Sequence, residues 1–298
     1  MITNNDILKF LRKITIAMRA VPGAVIFLDL IRRKLYTTRR SIVIDDFDGD
    51  ISIDLALHEH MQSQIFWYGY YNRDIVLLIK KILCPKMVAV DLGSNIGEIT
   101  LVCAKHVGTL GRVIAFEPMP AMTECLLANV DRNSFSNVVV EKKGVADTTG
   151  VVDIFRAPNK GHDGAINEGL GTLYSTAKRS ELVEQINITT LDNYFSEHPV
   201  SRLDLIKIDI EGAELAALRG AINTIKMFRP YLIVEVQEES AKTAGYDQKD
   251  ILSFLSSLDY KFYIIERNGR LNALEEDGLK YFQNVLCVPT EKPSPAND

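Results

Sequence analysis

Residues 88–97 read VAVDLGSNIG, an apolar run that meets Asp91, then Gly93, Ser94, Asn95 and Gly97, before a helical pattern begins. One acid and two glycines at a strand-to-helix exit suit a dinucleotide fingerprint, a cofactor without pyrophosphate, or a plain tight turn. The fingerprint requires G-x-G-x-x-G, and G-S-N-I-G lacks the middle glycine that lets backbone approach a pyrophosphate. Asp91 would repel phosphate but attract a cation such as a sulfonium or an amino-acid ammonium. Downstream, RVIAFEP ends in Glu117, 24 residues beyond Gly93, where a carboxylate can accept both hydroxyls of a ribose. GVADTTG places Asp147 after an expected third strand, in reach of an adenine amino group. Each acid alone can be a helix cap. Together they specify an adenosine with a cationic, phosphate-free substituent, which is S-adenosylmethionine.

Methyl transfer to an alcohol needs an aligned nucleophile and a group that removes its proton. LDLIKIDIEGAE supplies Asp209, Glu211 and Glu214 at the exit of a strand expected to include Asp209. Compensation of a helix N-terminus accounts for Glu211 and Glu214 but less well for Asp209, which reads as a base or a metal ligand. YLIVEV brings Glu235 to a comparable height, so Asp209 and Glu235 are a candidate pair for Mg²⁺, which would lower the pKa of an alcohol. Lys207 alternates with Asp209 on one sheet face, so an ordinary ion pair competes with the metal. The glycine-rich insertion at 156–185 reads as a lid or a flexible surface loop, turning helix-like near its end. Within it His162 is a candidate mobile base, and Asn159, Thr172 and Tyr174 are candidate partners for sugar hydroxyls. Asp209, Glu211 and His162 form the catalytic shortlist; His106 reads as a surface residue.

VDLGSNIGEITL, VIAFEPMP, TTLDNYF, LDLIKIDIEGAELAALRGA and FRPYLIVEV resemble, in order and spacing, the successive motifs of the FkbM-type methyltransferase family. The resemblance covers roughly residues 86–289, with KIDIEGAE its most distinctive block; residues 1–60 lie outside it. It implies a Rossmann-like, S-adenosylmethionine-dependent fold and O-methylation, often of sugar hydroxyls in polysaccharides, glycolipids or secondary metabolites. By that implication Gly93, Asn95 and Gly97 form the methionine-side loop, Glu117 holds the ribose and Asp147 lies near the adenine. Ser94 stands where the family more usually has alanine, and both are small.

From residue 74 onward, strands apolar on both sides alternate with amphipathic helices, the pattern of an α/β doubly wound sheet of class I methyltransferase type. YKFYII and FQNVLCV follow without a good helix between them, so an antiparallel edge is expected. Ahead of this domain (86–289) lie a basic amphipathic segment (1–40) and a β-hairpin with an aromatic-rich helical stretch (41–85); behind it the tail 290–298 is expected to lack structure. The hairpin turn DDFDGD lacks the spacing and closing Glu of a calcium loop. His58 and His60 diverge on a helix and make a weak metal pair. Four scattered cysteines without a C-x-x-C pair argue against a disulfide scaffold or zinc site and for a reduced, cytoplasmic protein.

Charge completes the sequence picture. At net −5 the chain does not suggest a nucleic-acid partner. Residues 1–40 nevertheless carry nine Lys/Arg against Asp6 and Asp29, a net +7, so the remainder carries −12. The segment reads either as a peripheral contact with an anionic membrane or a synthase complex, or as a helix packed on its own domain with a basic face in solvent. The expected activity is methyl transfer to a small-molecule or carbohydrate hydroxyl. A non-catalytic adenosyl-ligand-binding protein docked on a membrane or complex is the rival, and a nicotinamide oxidoreductase is disfavoured by the missing glycine.

Overall fold

The computed structural model describes residues 4–18, 41–156, 171–174, 182–275 and 278–295. They fall into two units, one ending at Arg73 and one beginning at Asp74. In the first, helix α1 (Asn4–Met18) precedes a hairpin of β1 (Ser41–Phe47) and β2 (Ile51–Ala56), followed by α2 (His60–Tyr68). The hairpin alternates buried and exposed positions, with Ile42, Ile44, Ile51, Ile53 and Leu55 inward, as a half-buried antiparallel pair requires.

In the second unit, α3 (Arg73–Ile82) leads into β3 (Val88–Leu92), α4 (Glu98–Val107), β4 (Arg112–Phe116), α5 (Pro120–Arg132) and β5 (Val138–Glu141). α3 turns Ile75, Val76, Leu78, Ile79 and Ile82 inward and leaves Lys80 and Lys81 to the polar side. After an inserted region come β10 (Leu205–Ile208), β11 (Tyr231–Gln237), β12 (Tyr260–Glu266), β13 (Arg270–Ala273) and β14 (Phe282–Pro289). These eight strands form one sheet in the order β13-β12-β14-β11-β10-β3-β4-β5. β11, β10, β3, β4 and β5 run parallel, and every residue of β3 and β10 is buried, which explains their uninterrupted apolar sequence. β14, β12 and β13 each pair antiparallel with the strand before them in the sheet, so this end is the expected antiparallel edge, with the short β13 at its border. With α6 (Leu191–Glu197), α7 (Glu214–Arg219), α8 (Ile222–Phe228), α9 (Glu238–Thr243) and α10 (Gln248–Ser256), the unit is an α/β fold built on a mostly parallel, Rossmann-like sheet.

Several local expectations need correction. NVVVEKKGVA is not one strand: it divides into β5 and β6 (Gly144–Val145), and β6 joins a separate four-stranded sheet. That sheet, ordered β6-β9-β7-β8, also takes β7 (Gly150–Arg156), β8 (Gly171–Thr172) and β9 (Leu182–Thr189). Residues 182–185, the described end of an insertion expected to turn helix-like, start β9, where pairing with β7 overrides local propensity. AELAALRGAINTI breaks into α7 and α8 at Gly220, where a Cβ would sit 2.1 Å from the carbonyl oxygen of Ala146. The tail is tied down as far as Pro293: Arg229 pairs with Glu291 at 2.8 Å, and the Tyr231 hydroxyl donates to the Pro293 carbonyl at 2.9 Å.

Candidate functional site

The glycine loop, Glu117, Asp209 and Glu211 lie just beyond the carboxyl ends of β3, β4 and β10, the edge where open α/β sheets bind ligands. Two glycines let the loop after β3 close down on its neighbours. Gly93 (φ +78°) lies so near β10 that a Cβ would come 1.9 Å from the backbone oxygen of Asp209. At Gly97 (φ +102°) a Cβ would lie 2.7 Å from Leu126 of α5. The amides of Gly93 and Ser94 both donate to the carbonyl of Phe116, at 3.0 and 3.1 Å, which binds the loop to the end of β4.

Glu117 sits one residue beyond β4 and is almost wholly buried. One carboxylate oxygen accepts from the Asn95 amide at 2.8 Å and the other from the Met119 amide at 2.9 Å. Burial raises its pKa to about 7, although both amides act in the opposite sense. The structure thus brings together the glycine loop and Glu117, the two halves of the expected cofactor cradle. Asp147 is exposed and follows β6 of the smaller sheet, not the third strand of the main one. The missing side chain at Gly220 is what lets this segment lie against the break between α7 and α8.

Asp91 has a different position from the one its sequence context suggested. It is buried beneath the loop, where its Oδ2 accepts from the Thr100 hydroxyl at 2.6 Å. Its Oδ1 makes no hydrogen bond and lies 3.6 Å from the Nζ of Lys207, its cross-strand partner on β10. Lys207 also donates to the Gly93 carbonyl at 3.2 Å and pairs with Asp209 at 3.3 Å. Burial alone would depress this ammonium, but Asp209, Asp91 and Glu235 together hold its pKa above the ordinary lysine value. One buried cation therefore joins the cofactor loop to the candidate base.

Asp209 follows directly after β10 rather than within it, its amide donating to the Leu92 carbonyl at 3.2 Å. Oxygens of Asp209, Glu211 and Glu235 lie within 4.8 Å of one another. Glu235 is pushed well above the carboxylate range by burial first and then by Asp209, Glu211 and Glu214. Glu211 adopts φ 55° and Gly212 φ 104°, a turn that carries the chain from the strand into α7. His162 lies outside the described residues.

Two structural supports escaped the sequence reading. Glu214 opens α7 as expected, but its side chain does more than compensate the helix N-terminus. It is buried, accepts from the amides of Ile210 and Gly212 at 3.1 Å each, and receives the Tyr246 hydroxyl at 3.1 Å. It thereby pins the turn that presents Asp209 and Glu211; the signal available was its spacing of two residues from a glycine. Thr172, expected to face a sugar, instead donates its hydroxyl to the Glu211 carbonyl at 2.9 Å, so β8 braces the same turn.

The sequence profile of the methyltransferase FkbM domain matches residues 91–262, from the acid under the glycine loop into β12. The chain belongs to the FkbM family of S-adenosylmethionine-dependent methyltransferases. Among its curated relatives, this FkbM-family chain is 28% identical over 199 residues to the hexuronic acid methyltransferase AglP of Haloferax volcanii, covering 66% of this chain and 73% of AglP. It is 26% identical over 260 residues to the antimetabolite synthetase AmbE of Pseudomonas aeruginosa, covering 76% of this chain but only 11% of AmbE. Among solved structures, an FkbM methyltransferase from Methylobacillus flagellatus is 17% identical, with a TM-score of 0.43, over 89% of this chain and 60% of its own. No helix among the described residues is long and apolar enough to cross a membrane.

The side chains at the FkbM site fit the family's cofactor. Asp91, Asp209, Glu235 and Glu117 all interact with the Lys207 ammonium, and Glu211 joins Asp209 and Glu235, an acceptor-rich set suited to hydroxyls and positive charge and hostile to phosphate.

Proposed function

We propose that the chain methylates a hydroxyl group, that of a sugar or hexuronic acid, with S-adenosylmethionine as donor. The observation that carries this reading is the convergence of Asp209, Glu211 and Glu235 at the strand exits adjoining the glycine loop. The relationship to a hexuronic acid methyltransferase supports the choice of acceptor class.

Bound S-adenosylmethionine supplies an electrophilic methyl on a cationic sulfur. Glu117 accepts the ribose hydroxyls, the Gly93–Gly97 loop cradles the methionine end, and Asp147 contributes at the adenine end. Lys207 sets the position of Asp209 relative to the loop. Asp209 would accept the proton of the acceptor hydroxyl as the acceptor oxygen bonds to the methyl carbon and the carbon–sulfur bond breaks, releasing S-adenosylhomocysteine; the neutral carboxyl then returns its proton to solvent. Glu235, whose raised pKa favours its protonated form, hydrogen-bonds the acceptor or its neighbour. The same oxygens favour a second use, Asp209 and Glu235 as ligands of Mg²⁺ that lowers the acceptor pKa.

Calorimetric titration with S-adenosylmethionine and NADH, followed by S-adenosylhomocysteine formation over a panel of hexuronate and neutral glycosides, tests the reading. Binding of the adenosyl ligand alone, with turnover on a glycoside, is expected. Binding without turnover on any acceptor would favour the non-catalytic reading. Asp209→Asn should leave cofactor affinity intact and lower kcat by about 10²–10⁴-fold, the usual range for general-base loss. Chelation separates the two uses of the acids: activity that survives EDTA, with no heat on Mg²⁺ titration, excludes the metal.

A further inference from the structure

Helix α1 carries an apolar stripe that its packing leaves exposed. Its inward side mixes the half-buried Leu8, Leu11 and Ile16 with two buried polar side chains. Arg12 is 3% exposed, donates to Asp46 of β1 at 2.6 Å and lies over the Phe66 ring at 5.9 Å. Thr15, also buried, donates its hydroxyl to the Trp67 carbonyl at 2.7 Å. These contacts attach α1 to the hairpin and to α2 through hydrogen bonds. The opposite side carries Ile7, Phe10, Ile14 and Met18, which are 49%, 64%, 37% and 36% exposed. Steps of three, four and four residues put all four on one face, roughly opposite Arg12. A soluble helix buries such a stripe against its own domain, and an exposed contiguous one marks an interaction surface.

We propose that this face of α1 is a membrane-docking surface, its apolar stripe entering the boundary between headgroups and acyl chains of an anionic bilayer. Charge selects this occupant over a second copy of the chain. Lys13 is exposed beside the stripe, and Arg19, Arg32, Arg33, Lys34, Arg39 and Arg40 follow the helix in sequence, within a +7 segment on a chain otherwise at −12. Face-to-face pairing of two copies would bring two +7 segments together, which is repulsive, whereas lipid phosphate supplies the opposite charge. The nearby acids Asp45 and Asp46 pair with Lys9 and Arg12, on the side away from the stripe.

Flotation of the full chain with phosphatidylcholine vesicles, with and without phosphatidylglycerol, tests the proposal. The protein should float with the anionic vesicles and be released as salt rises. The variant Phe10→Asp/Ile14→Asp changes only exposed side chains and should lower the vesicle partition about tenfold or more, the effect of losing two apolar anchors. Its S-adenosylmethionine affinity and circular dichroism should match the parent, which separates lost docking from lost folding. Lys13→Glu should weaken binding to anionic vesicles more than to neutral ones. A parent protein that stays with the unbound fraction in both vesicle types overturns the proposal. So does a variant that floats like the parent, or one whose only change is a dimer-to-monomer shift in light scattering; the last would assign the stripe to self-association.

Discussion

Below about pH 7, binding of S-adenosylmethionine should weaken with acidity, and Glu117 should be the cause. The side chain is buried, with a pKa raised to about 7, and each oxygen already accepts one backbone amide. Accepting two ribose hydroxyls as well requires the ionised form, so ligand binding should expel the proton. One pH unit below the pKa about one carboxyl in ten is ionised, which raises Kd about tenfold, or about 1.4 kcal/mol. Calorimetry across this range, in buffers of different ionisation enthalpy, should register proton release that fades above about pH 7. Glu117→Gln should lose this slope and, at higher pH, bind more weakly than the parent by about 1–3 kcal/mol. The ligand-free protein should respond in the opposite sense. Between the ordinary value of 4.5 and about 7 the folded state holds a proton that the unfolded state has released. Stability should therefore fall as pH rises through that window, by about 3 kcal/mol, and Glu117→Gln should lack that decline in thermal melts. Identical pH slopes for parent and Glu117→Gln, in affinity or in stability, would refute the reasoning.

Lys207→Met strips the counter-charge from Asp91 and Asp209, at 3.6 and 3.3 Å, and should cost about 3–5 kcal/mol in urea denaturation. An unchanged midpoint would mean that water or rearrangement compensates both acids. Gly93→Ala places a Cβ against the Asp209 carbonyl at a positive φ and should lose about 2–4 kcal/mol, with S-adenosylmethionine affinity falling in whatever protein remains folded. Normal affinity and stability would show that the loop and β10 can separate freely.

The order of strands and helices was legible because parallel strands buried on both faces leave long apolar runs, and because glycine and an acid punctuate the strand exits. VAVDLGSNIG and RVIAFEP marked in this way the two strand exits whose glycine loop and Glu117 the fold brings together, and the sheet that positions them. Periodicity was silent on β6 to β9, where two strands of only two residues and two longer ones hold together by pairing across an insertion. It was equally silent on which acid does what. Asp91, Asp209, Glu211, Glu214 and Glu235 are alike in sequence, and only the approach of separate strands made one a buried counter-ion to Lys207, another the staple of a turn, and three others a cluster. The spacing within α1 showed two faces, but which of them turned inward was decided by Asp46 and the Trp67 carbonyl, partners 34 and 52 residues away. Local sequence determined the elements, since backbone preference and hydrophobic period act over a few residues. Tertiary structure decided the chemistry, since the environment of a charge is set by residues distant in the chain.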